Sequence, residues 1–204
     1  MDEESIPCIE CGNPVLPRTA NRNAGKCVPC ARGYRESLEK ARLYYEEEKR
    51  YRTSPDALFW RSLCERVDNP ALGFETLREP EQIFFAVCLL EGEVYNGGFE
   101  QYFTNSSSDY FDYALRGLAA MGDTEGLKIT RRAKQLLFGD SEVSVDRVSR
   151  YDVIERCGLS DSPETVHRLN ELDSLFVKNF EENLSSRLRQ FAAMHYFWES
   201  ETEN

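Results

Sequence analysis

Four of the seven cysteines in this 204-residue chain form two Cys-x-x-Cys pairs near its start. Cys8 and Cys11 are the first pair, Cys27 and Cys30 are the second, and fifteen residues separate the pairs. A two-residue gap lets the backbone turn so that two thiolates bind one ion at about 2.3 Å. Two such pairs supply all four ligands of a tetrahedral site, which leaves no open position for a substrate. The spacing therefore predicts a structural zinc ion.

The residues around these cysteines favour a small module, residues 1–33, that depends on the metal. Few of them are apolar, so the segment could not fold on a hydrophobic core alone. Proline, asparagine and glycine between the pairs favour turns, and we expect a short hairpin there. Redox dithiols and disulfides are the alternatives, but no βαβ pattern is visible and disulfides are disfavoured in the cytosol. The isolated Cys64, Cys88 and Cys157 are expected to be buried.

The charge of the chain is strongly negative, at −11, with 36 acidic and 25 basic residues. Residues 1–33 hold four of each sign, so the excess lies in residues 34–204. Such a surface repels nucleic acid and anionic membranes, and it favours basic partners or simply solubility. Direct binding of nucleic acid by the cysteine module is therefore not expected. The candidate acidic clusters are Glu46, Glu47 and Glu48; Asp140, Glu142 and Asp146; Glu181 and Glu182; and Glu199, Glu201 and Glu203.

Helical periodicity dominates the rest of the chain. It predicts helices at about 31–52, 55–67, 80–95, 108–121, 124–138, 146–157 and 163–198, the last broken near 179–183. Ser54-Pro55 and Ser162-Pro163 mark helix starts, and glycines follow several helix ends. Strand patterns are absent outside the cysteine module.

The predicted architecture is an all-α main domain with a small N-terminal zinc-ribbon-like β module. The main domain, a bundle of about six to eight helices, covers residues 55–198. A linking helix over residues 34–54 joins it to the module, and an acidic tail occupies residues 199–204.

Residues 94–109, VYNGGFEQYFTNSSSD, form the most distinctive segment. Two adjacent glycines break a helix, because they adopt backbone angles that side chains forbid. The segment is either a core turn with helix caps or a polar cleft for a ligand or peptide, and both interpretations stay open. The residues concerned are Asn96, Gly97, Gly98, Phe99, Gln101, Tyr102, Asn105, Ser106 and Asp109.

This segment resembles the signature of the bacterial DNA-mimic protein family. The Ala-Leu-x-x-Leu helix at 114–118, Met121-Gly122 and Leu172-Asp173-x-x-Phe176 also fit that pattern, and the resemblance covers residues 56–197. It implies an acidic all-α domain that binds a DNA-binding regulator in place of DNA. Since B-DNA carries one charge per ~1.7 Å, eleven charges match roughly 19 Å of duplex. The cysteine module, residues 1–33, lies outside this pattern, and its residues 6–33 resemble zinc-ribbon and treble-clef knuckles.

The expected function is non-enzymatic binding of a basic or DNA-binding protein through carboxylates. A nucleic-acid or protein adaptor built on the zinc module, or an enzyme with its site in the 94–109 segment, remain as alternatives. The two histidines, His167 and His195, stand near no nucleophile motif, and no phosphate-binding loop or hydrolase motif occurs. The chain lacks a membrane-spanning run and begins without a secretory signal, so a cytoplasmic location is expected. The sequence leaves open whether the chain forms a homodimer.

Overall fold

The computed structural model describes residues 4–156 and 162–198 of the chain. The chain divides into two compact units, Met1–Ala57 and Leu58–Asn204. The predicted acidic tail with Glu199, Glu201 and Glu203, and also Cys157, lie outside the described residues. Within the described ranges, no helix is both long and apolar enough to cross a membrane.

The first unit combines a minimal sheet with three helices. Its elements are β1 (Ile6–Pro7), β2 (Pro14–Val15), α1 (Pro17–Arg22), α2 (Val28–Ala31) and α3 (Arg35–Tyr51). The strands are antiparallel, with Ile6 opposite Val15. This β-hairpin encloses the first cysteine pair, whereas the hairpin predicted between the pairs is wrong. There, Pro17 starts α1, because a proline at the first helical position costs no hydrogen bond.

The linking helix differs from the prediction at its start. A helix beginning near residue 31 is wrong, because α2 ends at Ala31 and Gly33 has a left-handed φ of +74°. Helix α3 therefore begins at Arg35, and none of its residues is buried. Leu38 and Tyr45, which belong to its predicted apolar face, are 44% and 71% exposed.

All secondary-structure elements in the described part of the second unit are helical. Its elements are the main part of α4 (Pro55–Asp68), α5 (Glu79–Thr104), α6 (Phe111–Ala120), α7 (Thr124–Phe138), α8 (Arg147–Arg156), α9 (Pro163–Asn179) and α10 (Ser185–Met194), with 3₁₀ turns at Phe74–Thr76 and Ser106–Tyr110 and a π turn at Phe180–Leu184. The mostly helical fold with a two-stranded sheet near the four cysteines confirms the predicted fold class.

Local capping explains several helix boundaries. The Ser162 hydroxyl accepts a hydrogen bond from the Thr165 amide at 3.4 Å, as its place before Pro163 predicts. The Asp123 carboxylate accepts one from the Gly126 amide at 3.1 Å and starts α7. The π turn after α9 coincides with the predicted break near residues 179–183.

Helix α5 forms the centre of the second unit and packs against α6 and α9. Its regular backbone is interrupted by a kink at Gly97 and Gly98, close to the predicted end near residue 95, and a second helical stretch follows to Thr104. Beyond the kink, Phe99, Tyr102 and Phe103 are fully buried. Phe103 makes an edge contact with Phe138 at 5.2 Å between ring centroids, which joins α5 to α7.

Candidate metal centre and acidic surface

The four paired cysteines converge as the sequence predicts. Their sulfurs lie within 4.8 Å of one another, and none of the four is in a disulfide. The Cys11 and Cys27 sulfurs are 3.7 Å apart. Sulfurs at about 2.3 Å from one ion in tetrahedral geometry lie about 3.8 Å apart, whereas a disulfide needs about 2.05 Å. The donor set therefore fits one tetrahedral metal ion.

The β-hairpin and α2 hold these cysteines in place. Gly12 follows the first pair at a left-handed φ of +72°, and its amide donates to the Cys8 carbonyl at 2.9 Å. This tight turn brings the Cys8 and Cys11 sulfurs to the same side of the hairpin as the second pair. The Cys27 residue caps α2, and its amide donates to the Cys8 sulfur at 3.2 Å, which connects the two pairs.

Arg35 contacts the cysteine cluster, and the sequence analysis did not identify it. Its Nη2 donates to the Cys27 sulfur at 2.9 Å, and its Nη1 lies 3.6 Å from the Glu39 carboxylate. The Arg35 Nε is buried and has no hydrogen-bond partner among the described residues. A lone arginine after a glycine turn gives no sequence signal, although its place at the start of α3 puts it close behind the second pair.

The environment of the cysteines favours thiolates at some positions and opposes them at others. Backbone amides of Cys11 and Cys27 lower the pKa of Cys8 to about 6, despite burial. The Cys30 backbone amide and the Arg35 guanidinium help to lower the pKa of Cys27. Burial raises the pKa of Cys30 to about 12. The protein groups around the cysteines do not favour the thiolate form at all four positions. A bound cation would stabilise all four thiolates together.

Glu93, which directly precedes the 94–109 segment, binds several of the segment's polar side chains. Its carboxylate accepts hydrogen bonds from Gln101 Nε2 at 2.7 Å, Asn105 Nδ2 at 2.9 Å and the Ser107 hydroxyl at 2.7 Å. Burial alone would raise the pKa of Glu93, but these three donors lower it. Glu93 was not a candidate, because it precedes the kink by one helical turn and no regular spacing relates it to its donors.

Arg150 of α8 is the second organising residue and is fully buried. It donates to the carbonyl oxygens of Phe103 at 2.9 Å and Asn105 at 2.7 Å, which terminate α5. Its Nη1 also donates to the Asp109 carboxylate and the Ser144 carbonyl, each at 2.6 Å. A buried arginine needs such partners, and they fix the chain after α5.

The glycine kink depends on Asp173 of α9. Its carboxylate accepts a hydrogen bond from the Phe99 amide at 2.8 Å, which the kink leaves without a helical acceptor. Gly98 has a φ of +78°, and a Cβ there would overlap the Asp173 carboxylate. Two residues far apart in sequence thus fit only because one of them has no side chain.

The segment therefore has a buried side and an exposed side. Gly98, Phe99 and Tyr102 are buried, and the Tyr102 hydroxyl has no hydrogen-bond partner within the described structure. The exposed members are Asn96, Gly97, Ser106 and Asp109. Since Gln101 and Asn105 bond to Glu93, most of the segment's polar groups support the fold.

The first predicted acidic cluster lies on α3 among basic neighbours. Glu46 is 3.9 Å from Arg42 and Glu48 is 3.0 Å from Arg52, both one helical turn away. Glu47 is exposed beside them. The first unit as a whole has ten acidic and ten basic residues, so this cluster sits in a neutral unit.

The other two clusters within the described residues lie in the second unit. Asp146 caps α8, accepting from the Ser149 amide at 2.8 Å and its hydroxyl at 2.6 Å. Glu182 is 3.8 Å from Lys178. Asp140, Glu142 and Glu181 are exposed.

Three carboxylates act electrostatically on Tyr110, whose ring packs at a tilt on that of Phe74 with 4.2 Å between centroids. Burial raises the pKa of Tyr110, and the nearby charges of Asp109, Asp68 and Glu75 raise it further. These carboxylates come from α4 and two 3₁₀ turns, and we call them the Tyr110 carboxylates. Asp68 and Glu75 are exposed, and neither belongs to a run of acidic residues. A search for acidic runs in the sequence therefore did not identify them.

The negative charge belongs entirely to the second unit. Residues 58–204 hold 26 acidic and 15 basic residues, which equals the whole excess of −11. Several of these carboxylates accept hydrogen bonds from other side chains of the unit. They include Glu81, Glu93 and Asp123. The remaining exposed carboxylates give the surface of this unit its sign.

Comparison with known proteins identifies the same region. A family model described as DMP19-like protein matches residues 75–195, which is more than half of the chain. The match includes the 94–109 segment, Arg150 and Asp173, and it excludes the four-cysteine cluster. No curated protein and no solved structure matches the chain.

Proposed function

Because the chain belongs to the DMP19-like protein family, we propose that it is a non-enzymatic DNA mimic. Its second unit binds a basic, DNA-binding protein at the surface which that protein uses for DNA. The observation that carries this proposal is the segregation of charge. Counted over acidic and basic side chains, the first unit is neutral and would gain only −2 from a four-thiolate zinc site, whereas the second unit, which contains the family match, holds the excess of −11.

The Tyr110 carboxylates are the proposed centre of the mimicking surface. Asp68, Glu75 and Asp109 come from three separate elements and act on one tyrosine. Carboxylates that are held by packed elements resemble the fixed phosphates of a duplex more closely than mobile side chains do. Asp109 is held at 2.6 Å by the buried Arg150, whose positive charge fixes its position and offsets its negative charge. Asp68 and Glu75 therefore supply most of the attraction.

The four cysteines are proposed to bind zinc in a structural role. Four convergent sulfurs, one hydrogen-bonded from a backbone amide and one from Arg35, support a closed four-thiolate site. Such a site has no open position for substrate, and its metal stabilises a unit whose apolar core is small. The first unit would then be a rigid appendage to the binding domain.

Displacement of proteins from immobilised DNA tests the mimic proposal. DNA-binding proteins from the source cells are loaded on DNA-cellulose and eluted with this protein at constant ionic strength. The wild-type protein is expected to elute a defined DNA-binding protein. The Asp68→Lys/Glu75→Lys variant should elute much less of it, because charge reversal repels a basic surface.

A matched variant controls for net charge. Glu142→Lys/Glu181→Lys makes the same change at exposed sites away from Tyr110 in sequence. It should elute nearly as much as the wild type. Equal losses in both variants would contradict a localised surface, and absence of elution by the wild type would contradict mimicry itself.

A further inference from the structure

A groove of about 400 Å³ lies between α7 and α9 of the second unit. It is lined from α7 by Arg132, Gln135 and Leu136, and from α9 by Arg168, Glu171, Leu172 and Leu175. The Glu171 carboxylate lies 3.4 Å from His167 on the same helix. The groove combines an apolar part of three leucines, its floor, with two arginines and one glutamate. We call it the α7–α9 groove.

The floor of the groove presents apolar surface. Leu175 is 48% exposed, Leu136 is partly buried, and Leu172 joins them to the core at 7% exposure. Exposed leucine next to a groove is typical of a surface that receives an apolar side chain. An apolar groove between two helices can receive the apolar face of an amphipathic helix.

The charge of this region opposes that of the unit around it. Helix α7 has four basic residues and one acidic residue, although its unit holds 26 acidic against 15 basic residues. Lys128 pairs with Glu125 at 3.4 Å, and Lys134 donates to the Gly139 carbonyl at 2.9 Å. Arg132 has no acidic partner in the described part of the chain.

Across the groove, Arg168 is positioned to share a ligand with Arg132. Its ion-pair partner among the described residues is Glu164, 2.8 Å away and one turn earlier on α9, and both side chains are more than half exposed. An exposed pair of this kind is weak, so an incoming carboxylate can compete for the guanidinium. The arrangement offers two guanidinium groups beside a leucine floor.

We propose that the α7–α9 groove docks an acidic amphipathic helix of a partner protein. Leucine-type side chains of that helix would cover the floor, and flanking carboxylates would bind Arg132 and Arg168. Nucleic acid is disfavoured as occupant, because each nucleotide adds a phosphate that the surrounding charge of −11 repels, whereas a helix needs only the few carboxylates that face Arg132 and Arg168. This second surface is independent of the Tyr110 carboxylates and selects partners of the opposite charge.

Binding of a designed peptide to the full-length protein tests the proposal. The probe is a peptide of about twelve residues, long enough for about three helical turns, with leucines at helical spacing on one face and glutamates elsewhere. Its affinity is measured by fluorescence anisotropy. Counterparts with glutamine or lysine in place of glutamate test the charge. We expect the glutamate peptide to bind, and the glutamine and lysine peptides to bind at least about fivefold more weakly.

Variants locate the binding to the groove. Arg132→Glu/Arg168→Glu should weaken the glutamate peptide by at least about tenfold, and Leu175→Asp should weaken it similarly. The control is Arg189→Glu on α10, because Arg189 is exposed, whereas its neighbour Arg187 donates a hydrogen bond to the Met121 carbonyl. This substitution should leave the affinity within about twofold. Circular dichroism of each variant checks that the helices persist.

Three results would overturn the proposal. The first is equal binding of the three peptides, or binding that Arg132→Glu/Arg168→Glu leaves unchanged. The second is a homodimer in sedimentation that the same double substitution dissociates, because the occupant would then be a second copy. The third is binding of duplex DNA that the double substitution abolishes.

Discussion

The Arg35 guanidinium donates a hydrogen bond of 2.9 Å to the Cys27 sulfur and thereby ties the first turn of α3 to the four-cysteine cluster. A four-thiolate zinc site carries a charge of −2, and a neighbouring cation offsets part of it. The linking helix is therefore anchored by the site that it follows, although none of its side chains is buried.

Replacing Arg35 should weaken metal binding. We expect Arg35→Ala to lower zinc affinity by about tenfold, the lower end of the range for residues that contact metal ligands. Arg35→Lys should lose less, because it keeps the charge. Competition with a zinc-binding dye measures affinity, and the sulfur-to-metal absorption of the cobalt-substituted protein reports the ligand environment.

The matched control for this experiment is Arg32→Ala, since Arg32 is exposed on the same turn. It should leave the affinity unchanged. Equal effects of both substitutions would show that Arg35 acts only through general charge. A wild-type protein that binds no zinc would instead contradict the metal site.

Gly98→Ala should destabilise the second unit strongly. The new methyl group would overlap the Asp173 carboxylate, and φ of +78° strains any residue other than glycine. We expect a loss of about 2–4 kcal/mol in the free energy of unfolding, measured in urea. Gly92→Ala in the same helix meets no atom within 4 Å and should be neutral or stabilising by up to about 1 kcal/mol. If both variants are equally stable, the kink does not need glycine.

Arg150→Met should also destabilise the second unit, because it leaves the Phe103 and Asn105 carbonyls and the Asp109 carboxylate without their donor. A buried acceptor that loses its donor costs about 1–3 kcal/mol, and we expect a total loss of about 2–4 kcal/mol because the exposed Asp109 carboxylate can be hydrated. Arg147→Met, which removes one exposed hydrogen bond to the Thr104 carbonyl, should cost less than about 1.5 kcal/mol. Chemical unfolding of both variants distinguishes them, and similar losses would mean that the Arg150 network contributes little.

Stability should fall in acid partly through Glu81, which is 4% exposed. Burial would raise its pKa, but hydrogen bonds from Arg66 and from the Arg78 amide outweigh burial and lower it to about 2. Since the folded pKa lies below the unfolded value, this contribution is complete above the unfolded pKa and disappears as pH falls through the folded one. We expect Glu81→Gln to lose about 1–2 kcal/mol at pH 7, and the gap to the wild type to close between about pH 5 and pH 2.

The exposed Glu155→Gln is the control for the acid titration and should stay within about 0.5 kcal/mol of the wild type throughout. Unfolding in urea at each pH measures both variants. A gap for Glu81→Gln that is constant with pH would show that the lost contact is not one of charge.

Local sequence patterns predicted much of this molecule. The two cysteine pairs predicted their own convergence, because each pair turns within two residues and both turns serve one ion. Ser162 before Pro163 marked the start of α9 for an equally local reason. The helical fold class followed from periodicity, whereas the start of α3 was wrong because the glycine at 33 interrupts an otherwise helical pattern.

Contacts between distant residues could not be predicted. Arg150 meets Phe103 and Asn105 across more than forty residues, and no spacing in the sequence connects them. Asp68 and Glu75 lie on elements separate from Tyr110, and only the fold brings their charges near enough to raise its pKa. Charge counted along the chain therefore located the acidic unit correctly, but missed the carboxylates that the fold brings together.

The most direct test of DNA mimicry is whether this protein and DNA exclude each other from one partner. The protein that the wild type elutes from DNA-cellulose is bound to a labelled duplex, and fluorescence anisotropy follows displacement of the duplex at several salt concentrations. We expect complete competition, with an affinity that falls steeply with salt and is lost in Asp68→Lys/Glu75→Lys. A ternary complex, or binding that is insensitive to salt and to these substitutions, would contradict the proposal.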